Sequence, residues 1–323
     1  MPAPRVLLVK LSSLGDVIHL LPAVTDLARA RPEVEIDWAV EEGFAPIPAL
    51  HPSVRRVIPV SLRRLRARPL SPSSWGALAG VRSALRAGGA YDWIVDAQGL
   101  LKSVAVGRLA KGALFGFDRA SIREKAAARF YDVGLAVPRD LHAVERCRRL
   151  VAAVFGYAPA GEADYGIAPP SGAPAWVPRT DYVVALHASS KRAKRWPDAH
   201  WRALAERLAR EGIGIVYPGG SPSEREDATR LSGASPGGLA APAMTLPEAA
   251  ALLARASAVV GVDTGLTHLA VALGCPTVGL YVATKPGLTG LHGGPRAVNL
   301  GGPGAPPAPA DVARVLFGAD AAT

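Results

Sequence analysis

The chain has 323 residues, and its 37 Lys and Arg against 27 Asp and Glu leave a formal net charge of +10. Apolar residues at 49% and charged residues at 20% are globular proportions, which excludes a disordered or fibrous chain. A single core stops growing near roughly 250–300 residues, so two domains are expected.

The first half alternates strand-like and helix-like segments. Val6–Lys10 reads as a buried strand, and Asp16–Ala30 carries apolar residues at 17, 20, 21, 24, 27 and 28, the helical spacing. Val34–Val40 and Val54–Val60 read as strands, Trp75–Ala87 as a helix, Trp93–Ala97 as a strand and His142–Tyr157 as a closing helix. Such alternation predicts βαβ units and a parallel sheet. From 158 to 179 turn-forming residues crowd together and the apolar period vanishes, which marks a linker. The alternation then restarts with strand Tyr182–Leu186, helix Asp198–Arg210, strand Ile213–Tyr217, and helices Ser223–Leu231 and Leu246–Ala256. Strand Ala258–Val262, helix Thr264–Leu273, strand Thr277–Val282 and a final helix Ala310–Phe317 complete it. The expected organisation is therefore α/β: a domain over 1–157, a linker over 158–179 and a second domain over 180–323.

Two further features bear on class. Cys147 and Cys275 lie far apart and form no C-x-x-C pair, so they read as reduced thiols. The N-terminus does not read as a signal peptide, because Lys10 cuts the apolar run Val6–Val9. The uncharged stretch Thr264–Thr284 could span a bilayer at about 1.5 Å per residue, but Gly274-Cys275-Pro276 breaks it, and it reads as helix, turn and strand.

Open α/β sheets bind ligands beyond the carboxyl ends of their strands, so the loops there are the places to search. LSSLGD (11–16) ends in Asp16 at the start of a helix, where a carboxylate serves either as a cap for free amides or as a general base. HASSKRAKRW (187–196) offers hydroxyls from Ser189 and Ser190 and cations from Lys191, Arg192, Lys194 and Arg195, a set suited to phosphate or simply to a solvated face. VDTGLTHLAVALG (262–274) places Asp263 at a strand end, Thr264 and Gly265 at a helix start and His268 one turn on. The amides and dipole of a helix start attract anions, against the plainer reading of a capped helix with a core histidine.

Absences narrow the chemistry. Neither G-x-G-x-x-G after a strand nor the P-loop pattern occurs, no D-x-D is present and the histidines are dispersed, so no metal or cofactor is invoked. The excess positive charge admits nucleic acid, an anionic membrane surface or an anionic substrate. Aromatics are only 6% and the cations gather in loops after strands, which argues against nucleic acid.

Four runs together resemble the ADP-heptose:lipopolysaccharide heptosyltransferases, and in particular those that add the first heptose. They are VLLVKLSSLGDVIHLLPAVTDL (6–27), IDWAVEEGFAPIPALHPSVRRVIPV (36–60), YDWIVDAQGLLKS (91–103) and VDTGLTHLAVALGCPTVGLY (262–281). The resemblance implies a GT-B fold, two facing Rossmann-like domains with the C-terminal helix returning to the first. It also implies an inverting, metal-independent transfer of L-glycero-D-manno-heptose from ADP-heptose to the inner Kdo of Kdo2-lipid A, on the cytoplasmic face of the inner membrane. By position, Asp16 is then the base, Lys194 the lysine near the phosphates, and Ser189 and Ser190 stand where a Thr pair is usual. Glu224 would take the ribose hydroxyls and Met244 the adenine, with Asp263, Thr264, Gly265 and His268 facing heptose and diphosphate. The anionic acceptor and the membrane surface would meet arginines of the first domain: Arg55, Arg56, Arg63, Arg64, Arg66 and Arg68, and a second group of Arg123, Lys125 and Arg129. A related GT-B transferase that adds the second heptose, or uses another nucleotide sugar, is the alternative.

Overall fold

The computed structural model describes residues 3–61, 72–172, 174–189, 191–294 and 296–318. The chain parts into two compact units, Met1–Ile167 and Ala168–Thr323, and the division falls inside the stretch read as a linker.

In the first unit six strands, β1 (Arg5–Val9), β2 (Glu35–Glu41), β3 (Val54–Val60), β4 (Trp93–Asp96), β5 (Leu114–Phe117) and β6 (Val133–Leu135), form one parallel sheet in the order β3-β2-β1-β4-β5-β6. The register sets Val6 opposite Ile36 on one side and Trp93 on the other. After Arg5, β1 is apolar without interruption because helices cover both faces of a parallel sheet, and Val6 to Val9 are fully buried. The helices are α1 (Leu14–Ala30), α2 (Pro72–Arg86), α3 (Leu101–Leu109) and α4 (Ala143–Phe155). α1 buries Val17, Leu20, Leu21, Val24 and Leu27 and packs along α4. α4 stops at Gly156, whose φ of 67° is left-handed and suits a residue without a Cβ.

The first part of the predicted linker is laid onto this unit rather than left as a free connector. Arg148 of α4, only 3% exposed, pairs with Asp26 at 2.7 Å and Glu145 at 2.9 Å and donates to the carbonyls of Ala160 and Gly161. Arg29 binds Asp164, and Gly166 has φ of 63° where a Cβ would run into Thr25 and His51.

The second unit repeats the plan. β7 (Tyr182–Leu186), β8 (Gly214–Tyr217), β9 (Gly238–Ala240), β10 (Ala258–Val262), β11 (Thr277–Tyr281) and β12 (Ala297–Gly301) form a parallel sheet ordered β12-β11-β10-β7-β8-β9. Counted from β7, that is the strand order of the first unit. Its helices are α5 (Asp198–Arg210), α6 (Pro222–Gly233), α7 (Leu246–Arg255), α8 (Gly265–Ala272), α9 (Pro286–Thr289) and α10 (Pro309–Phe317). Thr264–Thr284 is helix, turn and strand as read, and among the described residues no helix is long and apolar enough to cross a membrane.

Trp196, Trp201 and Tyr217 form the aromatic centre of this core, with Trp196 and Trp201 edge to face at 4.8 Å. Trp196 Nε1 donates to the Pro307 carbonyl at 2.9 Å, which brings the Pro-rich segment back over the core. The expectation that the final helix returns to the first domain is corrected here. α10 packs on α5 of its own unit, Val312 joins this core, and the Arg207 guanidinium lies 4.9 Å from the centre of the Phe317 ring.

Candidate functional site

In each sheet the strand order reverses between two central strands, β1 and β4 in the first and β7 and β10 in the second. A crevice at such a reversal is where open α/β sheets take ligands. The three loops singled out in the sequence follow β1, β7 and β10, so all three lie at reversal points.

In the second unit Lys194 and Asp263 come together across 69 positions, with Lys194 Nζ 2.6 Å from Asp263 Oδ2. The same oxygen accepts the Thr284 hydroxyl at 2.8 Å. The other cations of the loop divide differently. Arg195 pairs with Asp227 at 2.9 Å, while Lys191 and Arg192 are exposed. Ser189 is buried at the end of the strand segment, and Ser190 lies outside the described residues.

Asp263 leads into α8, whose cap residue Thr264 is extended (φ −143°, ψ 159°) and makes no side-chain capping bond. The first-turn amides of α8 are therefore not spent on a cap, and they sit at the positive end of the helix dipole. Gly261 permits this approach, because a Cβ there would lie 3.0 Å from Leu186 Cβ and collide with the Thr267 side chain. His268 is buried one turn into the helix.

Glu224 is the third residue of α6 and its Oε2 accepts from the backbone amides of Gly220 at 3.0 Å and Ser221 at 2.9 Å. Gly219 is required there, since a Cβ would sit 2.6 Å from the Arg225 nitrogen. The sequence reading passed over this Gly219-Gly220 turn, though two glycines after a strand and before a helix are a usable sign of close backbone approach. His187 bridges the neighbouring loops, Nε2 lying 3.3 Å from the Glu224 carbonyl, and burial holds its imidazole below the ordinary value. Met244 is half-buried in the segment before α7.

In the first unit Asp16 takes up the capping role in full. Its Oδ2 accepts from Ser13 N at 2.8 Å and Ser13 Oγ at 3.1 Å, while among the described residues no donor reaches Oδ1. The loop before it is braced from the next strand. Gln98 Oε1 accepts from Leu11 N at 2.7 Å, Gln98 Nε2 donates to the Ser12 carbonyl, and Lys102 Nζ donates to Ser12 Oγ at 2.8 Å. Gln98 N is in turn tied at 2.8 Å to Asp96, which also accepts from Ser103 and Tyr131. Burial raises the Asp96 carboxyl, and those hydrogen bonds oppose it. Lys10, buried at the strand end, donates to the Ala97 carbonyl at 2.7 Å.

The arginine clusters resolve in part. Arg55 and Arg56 are committed to an ion-pair cluster, which withdraws them from the expected acceptor set. They bind the fully buried Asp37 at 2.7 and 3.0 Å, with Arg5 at 3.1 Å, near the start of β3 and away from the carboxyl ends where ligands bind. Arg123, Lys125 and Arg129 are exposed. Arg63, Arg64, Arg66 and Arg68 lie outside the described residues. Trp196, which closes the basic loop, is buried in the core.

Comparison with known proteins gives the family. Residues 79–310 match the model of glycosyltransferase family 9 (heptosyltransferase). Lipopolysaccharide heptosyltransferase 1 of Pseudomonas aeruginosa is 47% identical over 291 residues, covering 90% of this chain and 81% of that one. A solved structure of E. coli heptosyltransferase WaaC with ADP superposes with a TM-score of 0.87 at 44% identity, over 93% of this chain and 94% of that one. The same enzyme with ADP-2-deoxy-2-fluoro heptose gives 0.84 at 43%, over the same shares. Two Rossmann-like parallel sheets, the family match over most of the chain and these likenesses lead to one conclusion: the chain belongs to glycosyltransferase family 9, the heptosyltransferases.

Proposed function

We propose that this glycosyltransferase moves L-glycero-D-manno-heptose from ADP-heptose to the inner Kdo of Kdo2-lipid A, inverting the anomeric centre, at the cytoplasmic face of the inner membrane. The observation that carries the reading is the pairing of Lys194 with Asp263 beside the uncapped start of α8. A cation and a set of helix amides at one strand end suit a diphosphate that gains charge as it leaves. The solved relative with ADP supports a nucleoside diphosphate ligand, and the name of the Pseudomonas relative supports a lipopolysaccharide acceptor.

In the proposed step the acceptor hydroxyl oxygen bonds the anomeric carbon while that carbon's bond to the diphosphate breaks, its electron pair leaving with ADP. Asp16 takes the hydroxyl proton on its unoccupied oxygen. Lys194 and the α8 amides offset the charge on the departing ADP, a class of interaction worth about 10²–10³ in rate for each donor removed. Ser189, Ser190, Thr264, Gly265 and His268 complete the phosphate and sugar contacts. Glu224 binds the ribose through the oxygen that its cap leaves free, and Met244 packs on adenine. Arg123, with Arg63, Arg64 and Arg66, meets the acidic acceptor and the lipid surface.

The test is ADP release from ADP-heptose with a Kdo2-lipid A analogue, with and without a chelator. Release that depends on this acceptor and survives chelation is expected. Release only with an already heptosylated acceptor would overturn the acceptor assignment, and loss of release on chelation would overturn the metal-independent mechanism.

A further inference from the structure

β10 and β11 are parallel neighbours, with Val262 opposite Leu280, so the segments that leave their carboxyl ends lie side by side. Asp263 leaves the first and Thr284 the second. The Thr284 hydroxyl and the Lys194 ammonium converge on one oxygen of Asp263, at 2.8 and 2.6 Å, and among the described residues no donor reaches the other oxygen. The Asp263 side chain is only 12% exposed, so water solvates it poorly.

We propose that Thr284 is a positioning residue for the transfer step: its hydroxyl holds the Asp263 carboxylate in place when the Lys194 ammonium turns to the leaving diphosphate. This rests on the reading of Lys194 as the phosphate-facing lysine. The ammonium cannot stay fully committed to Asp263 and also follow the charge that builds on ADP. As it turns, a poorly solvated carboxylate loses its counter-charge and is drawn after it unless another donor keeps its bond. Thr284 is that donor, carried on the segment that follows β11 rather than on the loop that carries Lys194. The carboxylate then keeps its free oxygen aimed at the bound sugar throughout the step.

The experiment compares Thr284→Val, which keeps the shape and removes the hydroxyl, with Thr284→Ser, which keeps the hydroxyl. In the full chain, kcat and KM for ADP-heptose and the Kd for ADP are measured for each. Thr284→Val should lower kcat about 5–30-fold, with KM and the ADP Kd within about twofold, because the bond matters once charge moves. Thr284→Ser should keep kcat within about threefold of wild type. A Thr284→Val enzyme with unchanged kcat, a Thr284→Ser enzyme as slow as Thr284→Val, or a loss confined to ADP affinity would each overturn the proposal. A thermal melt of both variants guards against misfolding. Should Thr284→Val melt early, Thr284→Ala against Thr284→Ser carries the same comparison. Wild-type turnover with the named substrates reports on the function itself, so failure of that reading is told apart from failure of this one.

Discussion

Replacing Asp16 by Asn separates the capping role of this carboxylate from the base role proposed for it. The amide oxygen of the variant still accepts from Ser13 N and Ser13 Oγ, now at 2.8 and 3.1 Å from Asp16 Oδ2, so the helix start stays closed. What the cap loses is one negative charge at a helix N-terminus, about 0.3–1 kcal/mol. What catalysis loses is the proton acceptor, about 10²–10⁴ in rate, or about 3–5 kcal/mol. Were Asp16 only a cap, the first magnitude would be the whole effect and the rate would hardly move. The assays are ADP release with donor and acceptor, a titration of ADP binding, and a thermal melt. A slow enzyme with near-normal melting and ADP affinity within about twofold is expected. A variant that transfers heptose at close to the wild-type rate would refute the base assignment.

Lys194→Ala should lower turnover or donor affinity by about 10²-fold in the same ADP-release assay, and unchanged kinetics would remove it from the phosphate site. His51 gives a pH dependence of known sign. Its Nδ1 accepts from Ser53 N and its Nε2–H donates to Thr25 Oγ1, and burial lowers its pKa from 6.5 to about 4, partly offset by Asp164. The folded state refuses a proton that the unfolded chain accepts below 6.5, so stability is full above that value and falls as pH drops towards 4. Denaturation midpoints at pH 7 and 5 should show wild type losing about 2 kcal/mol relative to His51→Gln, and equal losses would refute it. Arg148→Met should cost about 3–5 kcal/mol, because it strands Asp26 and the carbonyls of Ala160 and Gly161. Limited proteolysis should then cut the 158–167 stretch faster, and an unchanged cleavage rate would show that Arg148 does not hold it.

The long elements were legible because each has enough residues to show its period. Val6–Val9 and the apolar face of α1 are visible as patterns, and their alternation gave both parallel sheets. What escaped was short or glycine-bearing: β5 as LFGF, β6 as VGL, β9 as GLA, β12 as AVNLG, and α3, whose LKSVAVGRL shows little amphipathic contrast. With a glycine among so few residues neither an unbroken apolar run nor period two registers, and a sheet neighbour rather than local preference makes them strands. The linker was legible as composition but not as structure, since the residue that lays it down, Arg148, lies on a helix a dozen positions earlier. The site behaved the same way. A cation cluster after a strand is a local signal, but the partner of each cation is not. Lys194 goes to Asp263, Arg195 to Asp227, and Arg55 and Arg56 to Asp37, and only the last changed a functional assignment.

The carboxylates make the distinction sharper than burial alone does. Asp37, Asp96 and Asp26 have both oxygens occupied: Asp37 by arginines and Tyr91, Asp96 by two amides, Ser103 and Tyr131, and Asp26 by two nitrogens of Arg148. Both oxygens of such groups are engaged by donors of the protein itself, and their work is to hold strands and loops together. Asp16, Glu224 and Asp263 share another pattern: two donors fix one oxygen, and among the described residues none reaches the other. A half-satisfied carboxylate is aimed without being spent, which general-base action, ribose binding and sugar contact each need. A cap and the role proposed for Asp16 or Glu224 are therefore not competing descriptions, because the cap bond is what sets the direction of the free oxygen.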